Sequence, residues 1–280
     1  MAPLTITNHS RDSAGFRYVY AVVSRRARGI SVGINLNTNN ACNWRCIYCQ
    51  VPGLIRGEPT PVELDTLERE LRTFLADAAE GDYLERHAPE GMRKLVDIAV
   101  SGNGEPTSAR EFPQVIECLG RIRSELALAP DLKIRVITNG SLVGREAVRQ
   151  GLARLGALDG EVWFKVDAGT SDGFRRINDV NLSPARVARN LARCAELCAT
   201  WVQTCMFRTD GRPPDPSEIE AYVSLLCGAG VDRLRGVLLY GLARAPMQPE
   251  ASRLSNMSVS EFDAVVRRIK QIGLSVTVSP

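Results

Sequence analysis

Short apolar runs alternate with longer amphipathic stretches along most of this chain. Six of these runs are rich in β-branched residues and predict β-strands over residues 30–37, 94–102, 133–140, 161–169, 201–207 and 233–241. Several runs are apolar almost throughout, which is typical of strands that are covered on both faces. The pattern therefore indicates a sheet that lies buried between other layers.

The stretches between the predicted strands have the periodicity of helices. Residues 63–79 carry Leu64, Leu67, Leu71 and Leu75 at spacings of three and four, which places the four side chains on one helix face. Further helices are predicted over residues 111–126, 145–155, 184–198, 216–227 and 260–272. Each predicted strand is thus followed by a predicted helix.

Six strand-then-helix units in succession predict a parallel sheet with right-handed crossovers. Such a sheet either stays open, as a doubly wound sheet, or curves into a barrel. Because six units are fewer than the eight of a complete barrel, we expect an α/β fold, a partial (β/α)6 TIM-like barrel in a single domain. Residues 30–280 form this core. Residues 1–29 form an N-terminal extension, whose residues 24–29 are interpreted as a solvated turn rather than a basic contact patch.

Composition and charge narrow the classes of function. The chain has 280 residues and a net charge of +3, which does not by itself require a nucleic-acid partner. Its first residues lack the basic start and apolar core of a signal peptide, and no apolar run approaches the roughly 20 residues that span a membrane. We therefore expect a cytoplasmic protein whose eight cysteines stay reduced and are buried small residues or metal ligands.

Three of the cysteines lie together in "ACNWRCIYCQ", as Cys42, Cys46 and Cys49. This segment begins four residues after the first predicted strand, so it lies on the first loop at the carboxyl ends of the strands. In parallel α/β folds the active and binding sites lie at this edge of the sheet. Three ligands leave one coordination position open, either on a catalytic zinc ion or on one iron of a [4Fe–4S] cluster. Neither histidine, His9 or His87, has an evident ligand spacing to the trio. Packing of the three thiols as small hydrophobes is the remaining alternative.

The spacing C-x3-C-x2-C, with an aromatic residue before the last cysteine, resembles the signature of the radical S-adenosylmethionine (radical SAM) enzymes. The resemblance implies that Cys42, Cys46 and Cys49 hold a [4Fe–4S] cluster, whose open iron is chelated by the amino and carboxylate groups of S-adenosylmethionine. The reduced cluster would cleave this cofactor to methionine and a 5′-deoxyadenosyl radical that abstracts hydrogen from a substrate. By position, Tyr48 resembles the aromatic residue whose backbone lies near the adenine.

A second motif, "SGNGEPT", closes the second predicted strand and resembles the family's glycine-glycine-glutamate-proline motif, with Asn103 at the first glycine. A glycine at position 104 allows close approach of backbones. The carboxylate of Glu105 can accept a charge-assisted hydrogen bond from an ammonium group. The resemblance implies that this ammonium is the amine of S-adenosylmethionine and that Asn103, Gly104 and Glu105 form part of the cofactor site.

Polar residues also end the next predicted strands. Thr138 and Asn139 end the third strand, where short polar side chains can bind ribose or carboxylate groups, although a simple Asn-Gly turn explains Asn139 equally well. Lys165 and Asp167 share one face of the fourth strand and predict a polar barrel interior. The resemblance implies that Asp167, and with less support Lys165, contacts the cofactor or the substrate. Gln203 on the fifth strand is a similar candidate.

The remaining cysteines admit two interpretations. Cys194 and Cys198 lie four residues apart on a predicted helix and Cys205 lies in the next strand, so a second cluster is an alternative to packing. Their positions inside predicted elements favour packing, as they do for Cys118 and Cys227.

Among radical SAM enzymes the chain looks most similar to the branch that contains the tRNA wybutosine-synthesising enzymes. The similarity lies in "INLNTNNACNWRCIYCQ", "SGNGEPT", "ITNGSL" and the run from Asp167 to Asn178. Residues 1–41, however, contain no cysteines for the upstream second cluster of that branch. The small net charge also does not favour strong electrostatic binding to the phosphates of tRNA.

Three hypotheses about function follow. The first is a radical SAM enzyme acting on a small molecule or an RNA base, with an electron donor such as a flavodoxin or a ferredoxin. The second is an activating enzyme that makes a radical on a partner protein. The third is a non-catalytic binding module that holds zinc or an iron–sulfur cluster.

Overall fold

Seven parallel strands and one antiparallel edge strand form the central sheet of the protein. The computed structural model describes residues 4–5, 14–24, 29–79, 81–129 and 131–279. The strands of the central sheet, in spatial order, are β1 (Val19–Ser24), β2 (Gly29–Ile34), β5 (Leu95–Val100), β6 (Lys133–Thr138), β7 (Glu161–Lys165), β8 (Ala199–Cys205), β10 (Leu234–Tyr240) and β12 (Val276–Ser279). β1 and β12 are the two edges, and residues of both line the same cavity, so the sheet curves around it.

Helices connect the parallel strands and cover the outer face of the sheet. They are α1 (Leu64–Ala79), α2 (Tyr83–His87), α3 (Phe112–Glu125), α4 (Glu146–Ala157), α5 (Ser171–Asn178), α6 (Pro184–Leu197), α7 (Pro216–Ala229) and α8 (Val259–Gln271). Four two-residue strands pair outside the main sheet: β3 (Ala41–Cys42) with β4 (Ile55–Arg56), and β9 (Arg208–Thr209) with β11 (Leu254–Ser255). None of the described helices combines the length and the apolarity that crossing a membrane requires.

Alternation along the strands separates the core from the interior of the barrel. In β6, Ile134 and Val136 are fully buried, whereas Arg135 and Ile137 are half-buried and line the cavity. Successive side chains of a strand point to opposite faces, so the apolar set packs under the helices and the other set faces inward. The main hydrophobic core therefore lies between the sheet and its helices, and the inward face is left for polar groups.

The predicted units correspond to elements of the structure. The six predicted strands are β2, β5, β6, β7, β8 and β10, and the six predicted helices are α1, α3, α4, α6, α7 and α8. The predicted α/β partial barrel is confirmed. Strand β1 lies within the predicted N-terminal extension and pairs with β2 in antiparallel fashion. Of the predicted turn over residues 24–29, residues 25–28 are outside the described part of the chain.

The elements that were not predicted also include α5, β12, the short helix α2 and the four two-residue strands. The sequence of α5, "SDGFRRIN", contains glycine, aspartate and asparagine, which are poor helix formers. The helix is stabilised at its start, where the Thr170 hydroxyl accepts a hydrogen bond from the Gly173 amide, and it ends at Asp179 in the left-handed conformation (φ 53°). β12 has four residues at the edge of the sheet, which is too short for a clear periodic signal.

Candidate functional site

The three clustered cysteines lie on the loop between β2 and α1, at the carboxyl edge of the sheet. The short strands β3 and β4 pair in parallel and close this loop, because Ala41 lies opposite Ile55 and Cys42 opposite Arg56. The side-chain amide of Asn37 also donates to the Ala41 carbonyl oxygen at 2.8 Å. The loop is therefore a folded unit, which we call the cysteine loop (residues 35–57).

The C-terminal end of α5 binds the cysteine loop from one side. The backbone amides of Arg45 and Ile47, which flank Cys46, donate to the carbonyl oxygens of Asn178 (3.2 Å) and Ile177 (2.9 Å). The guanidinium of Arg45 also pairs with the carboxylate of Asp179, 3.2 Å away. The position of Cys46 is thus fixed by contacts on both sides of it in sequence.

A segment after β10, residues 247–250, binds the loop from the other direction. The amide of Met247 donates to the Cys49 carbonyl oxygen at 2.8 Å, and the side chain of Gln248 donates to the Val51 carbonyl oxygen at 3.1 Å. Glu250 accepts two hydrogen bonds from Arg45, at 3.0 and 2.9 Å. The C-terminal part of the chain therefore helps to hold the first loop of the barrel.

All three thiols line one cavity of about 390 Å³ inside the curved sheet. Burial raises the pKa of the Cys42 thiol to about 11 and that of Cys46 to about 12. Other predicted residues line the same cavity: Tyr48, Asn103, Gly104, Glu105, Asn139, Lys165 and Gln203. The structure thus brings together side chains from the first, second, third, fourth and fifth predicted strand–loop units.

Glu105 is a buried carboxylate at the end of the second unit. Its Oε1 atom accepts hydrogen bonds from the Thr138 hydroxyl (2.6 Å) and the Thr107 amide (3.1 Å), and Oε2 accepts from the Asn139 amide at 2.7 Å. The Thr107 hydroxyl also donates to Oε1. Burial raises the pKa of Glu105, and these donors oppose the rise. The carboxylate is held rigidly, and Oε2 has capacity for a further donor.

Gly104 and Asn103 join the second unit to the cysteine loop. A Cβ atom on Gly104 would lie 2.1 Å from the Ala41 carbonyl oxygen, so only glycine lets the two loops pack at this distance. The Asn103 side-chain amide donates to Oδ1 of Asn40 at 2.7 Å, and the Asn103 backbone amide donates to Oδ1 of Asn35 at 3.0 Å. Both residues therefore position the loops as well as lining the cavity.

Thr138 and Asn139 have different roles at the end of β6. Asn139 lines the cavity, and its side-chain amide donates to Oδ1 of Asn43 at 2.8 Å. Thr138 is 1% exposed and is not among the residues that line the cavity; its hydroxyl donates to Glu105 and accepts from the Gly140 amide at 3.0 Å. A direct contact of Thr138 with the cofactor stays a prediction, and in this structure its hydroxyl supports the Glu105 carboxylate.

Asp167 is likewise absent from the cavity wall and is surrounded by donors. It accepts hydrogen bonds from the Tyr48 hydroxyl (2.6 Å), the Asn178 side-chain amide (3.0 Å) and the Cys205 backbone amide (3.0 Å). Its carboxylate also lies 3.5 Å from the Lys165 ammonium. A contact of Asp167 with the cofactor or the substrate stays a prediction, and in this structure its carboxylate holds Tyr48 and the end of α5.

Lys165 and Tyr240 form a pair on the cavity wall. The ammonium of Lys165 donates to the Tyr240 hydroxyl at 2.8 Å and lies 5.1 Å from the centre of the Tyr48 ring. Burial is the largest single influence and would lower the pKa of Lys165, but the interactions with Asp167, Tyr240, Cys46 and Cys205 together outweigh it, so the pKa is raised. A positive charge is therefore retained beside the cavity. Tyr240 was not predicted, because an isolated tyrosine in an apolar strand carries no signal of its own.

The other cysteines do not gather at one place. Cys194 and Cys198 belong to the main hydrophobic core, and the Cys198 thiol donates to the Gly160 carbonyl oxygen at 3.3 Å. Cys205 lies in a separate apolar cluster with Ile47, Tyr48 and Phe207. The favoured interpretation, packing of Cys194 and Cys198 within elements, agrees with this arrangement, whereas Cys205 also lines the cavity.

A family model described as the Radical SAM superfamily matches residues 36–212. The chain belongs to the radical SAM superfamily. The match begins at the second residue of the cysteine loop and ends after β9, so it contains all three clustered cysteines, Glu105, Asn139 and Gln203. The recognition drawn from the cysteine spacing is thereby confirmed.

Curated relatives are similar to this chain over part of their length. "GTPase Obg" of Brachyspira hyodysenteriae is 26% identical over 177 residues, which are 62% of this chain and 22% of the relative. "UPF0026 protein slr1464" of Synechocystis sp. is 27% identical over 164 residues, which are 58% of this chain and 53% of the relative. The chain therefore spans about a fifth of the first of these curated relatives and about half of the second.

A solved structure with bound S-adenosylmethionine has the same fold. Streptococcus suis SuiB bound to S-adenosylmethionine superimposes with a TM-score of 0.58 at 10% identity, which covers 91% of this chain and 52% of SuiB. The fold of the chain is thus the partial barrel of radical SAM proteins.

The cavity residues fit the iron–sulfur cluster of the radical SAM superfamily. In the described part of the chain, no group of three His, Cys, Asp or Glu side chains is placed so that it could bind a single metal ion. A four-iron cluster binds each thiolate at a different iron, so its ligands need not converge on one point as zinc ligands do. The donor to Cys46 also fits: the Asn178 amide nitrogen lies 3.2 Å from its sulfur, as suits a metal-bound thiolate that can accept but not donate.

Proposed function

We propose that this radical SAM protein is an enzyme that cleaves S-adenosylmethionine reductively, with Cys42, Cys46 and Cys49 as the ligands of a [4Fe–4S] cluster. When bound, the cluster and S-adenosylmethionine supply a 5′-deoxyadenosyl radical that abstracts hydrogen from a substrate. A one-electron donor protein, such as a flavodoxin or a ferredoxin, supplies the electron.

One observation carries this proposal. The three thiols of the first loop and the carboxylate of Glu105 from the second unit line the same cavity, together with Asn103, Gly104 and Asn139. Thiolates are ligands for iron, and a fixed carboxylate is a partner for an ammonium group. A cluster and the amino-acid part of S-adenosylmethionine would therefore bind next to each other in one cavity, which supports the chelation of this cofactor by the cluster.

Glu105 would bind the ammonium group of S-adenosylmethionine. Its Oε2 atom has one protein donor, the backbone amide of Asn139, and so keeps a further acceptor position, and Glu105 is one of the residues that line the cavity. The Thr138 and Thr107 donors keep the carboxylate in place, so binding costs little side-chain entropy. The side chain of Asn139, which also lines the cavity, is a further polar group for binding this cofactor.

The strand-lined part of the cavity would take the substrate. Its wall carries Asp97, Arg135, Trp163, Lys165 and Gln203 from β5, β6, β7 and β8. Arg135 pairs with Asp97 and Glu161, and Lys165 lies near Asp167, so the two cations are balanced by carboxylates. This wall offers hydrogen bonds and an aromatic face more than net charge, which suits a polar substrate group.

Anaerobic reconstitution with iron and sulfide tests the proposal. The wild-type protein should bind about four irons per chain and show the brown colour of an iron–sulfur protein. With S-adenosylmethionine and dithionite it should release 5′-deoxyadenosine, measured by liquid chromatography. A colourless protein that retains zinc, or a loaded cluster that leaves S-adenosylmethionine intact, would contradict the proposal and favour a non-catalytic binding module.

A further inference from the structure

Asn178, the last residue of α5, lies between Cys46 and Asp167. It is 0% exposed, and its side-chain nitrogen lies 3.2 Å from the sulfur of Cys46 and 3.0 Å from Oδ2 of Asp167. The two N–H groups of one amide thus have one acceptor each. No residue role drawn from the sequence motifs covers this position.

The orientation of this amide is fixed by Asp167. An ionised carboxylate accepts hydrogen bonds and cannot donate them, so the nitrogen and not the oxygen of Asn178 must face it. Among the described residues, Oδ1 of Asn178 is left buried without a hydrogen-bond partner.

The backbone around Asn178 strengthens this contact. The carbonyl oxygens of Ile177 and Asn178 accept hydrogen bonds from Ile47 and Arg45, the two neighbours of Cys46 in sequence. The side-chain donor and the cysteine sulfur are therefore carried by two segments that are bonded to each other. For Cys42, in contrast, the donor is the Trp44 amide of the same loop, at 3.4 Å.

We propose that Asn178 is a positioning residue that donates an N–H···S hydrogen bond to the Cys46 ligand and thereby raises the reduction potential of the [4Fe–4S] cluster. This inference rests on the proposed function. An N–H group directed at a cluster sulfur stabilises the extra negative charge of the reduced form. Asp167 keeps the donor in place, since the same amide nitrogen is bound to its carboxylate.

The test compares reconstituted wild-type protein with Asn178→Ala, and with Asn178→Leu, which keeps nearly the volume of the side chain without its donor. A matched control is Asn190→Ala, because Asn190 is a second buried asparagine whose amide donates to the Gly140 carbonyl oxygen at 3.0 Å. The readouts are iron content, circular dichroism and the midpoint potential from an anaerobic titration followed by electron paramagnetic resonance.

We expect a more negative midpoint potential in each position-178 variant that loads iron, and a wild-type potential in Asn190→Ala. Equal potentials in a loaded position-178 variant and the wild type would overturn the inference. Loss of iron from both position-178 variants with native circular dichroism would also overturn it, since Asn178 would then serve loop folding alone. Failure of the wild type itself to form a cluster would instead refute the proposed function.

Discussion

Glu105 and Asp167 are both buried carboxylates near the ends of strands, and their surroundings separate their roles. Glu105 lines the cavity, and one of its oxygens has a single protein donor. Asp167 stands behind the wall, where Tyr48, Asn178 and Cys205 donate to it and Lys165 lies close by. At the scale of single residues, Glu105 is thus the carboxylate that lines the cavity, and Asp167 is the carboxylate whose hydrogen bonds hold the cavity wall together.

Glu105→Gln tests the role of the first carboxylate. Removing the negative charge should weaken the binding of S-adenosylmethionine to cluster-loaded protein by roughly tenfold or more, because hydrogen bonds to charged groups contribute about 1.5–3 kcal/mol. Isothermal titration calorimetry under anaerobic conditions measures the affinity, and the iron content should not change.

The control for this substitution is Glu70→Gln. Glu70 is also buried, and it accepts hydrogen bonds from the backbone amides of Tyr18 (2.8 Å) and Arg17 (3.0 Å), away from the cavity wall. Its replacement should leave the affinity for S-adenosylmethionine unchanged. Equal effects of the two substitutions would show that Glu105 acts through folding alone.

Tyr48→Phe tests the anchoring role of Asp167. The lost hydroxyl leaves a buried carboxylate with one donor fewer, and we expect the free energy of unfolding to fall by about 1.5–3 kcal/mol. Urea denaturation measures this change.

Tyr83→Phe is the matched control for Tyr48→Phe. Tyr83 is 2% exposed, and within the described residues its hydroxyl is buried without a hydrogen-bond partner. Removing an unsatisfied hydroxyl should leave the free energy of unfolding unchanged or raise it. A loss of stability for Tyr83→Phe as large as that for Tyr48→Phe would contradict the assignment of the Tyr48–Asp167 bond.

At the scale of elements, the cysteine loop is held by three neighbours that are distant in sequence. The end of β5 packs against it at Gly104, the end of α5 binds the backbone beside Cys46, and residues 247–250 bind it through Met247 and Gln248. A long irregular segment can place three thiols reproducibly because its backbone groups are bonded to these elements.

Gly104→Ala tests the packing of this loop. The added Cβ would clash with the Ala41 carbonyl oxygen, so we expect a loss of about 1–3 kcal/mol of stability together with reduced iron retention after reconstitution. Gly144→Ala is the control, since a Cβ at Gly144 has no described heavy atom within 4 Å. Wild-type iron content in Gly104→Ala, measured by a colorimetric assay, would show that the close approach is dispensable.

At the scale of the whole molecule, the fold was predictable because each strand–helix unit repeats the same periodic signal. The edge strand β1 was not predicted, since it joins the sheet in antiparallel fashion ahead of the first repeating unit. In the site, the cysteines, Glu105 and Asn139 carry motif signals. Tyr48 and Asp167 also resemble family motifs, but their hydrogen bond was not predicted, because the two residues are 119 positions apart and meet only through tertiary packing. Local sequence patterns thus predict residues that line the cavity. The residues that hold the cavity wall in place are recognised only in the tertiary structure.

Our central proposal is that Cys42, Cys46 and Cys49 hold the cluster that cleaves S-adenosylmethionine. The most direct measurement is the iron content and 5′-deoxyadenosine release of anaerobically reconstituted Cys46→Ala beside the wild type, with Cys227→Ala as a control because Cys227 is exposed and lies on α7. We predict about four irons and product release for the wild type and for Cys227→Ala, and loss of both for Cys46→Ala. Cluster-dependent release of 5′-deoxyadenosine by Cys46→Ala at the wild-type level would contradict the account.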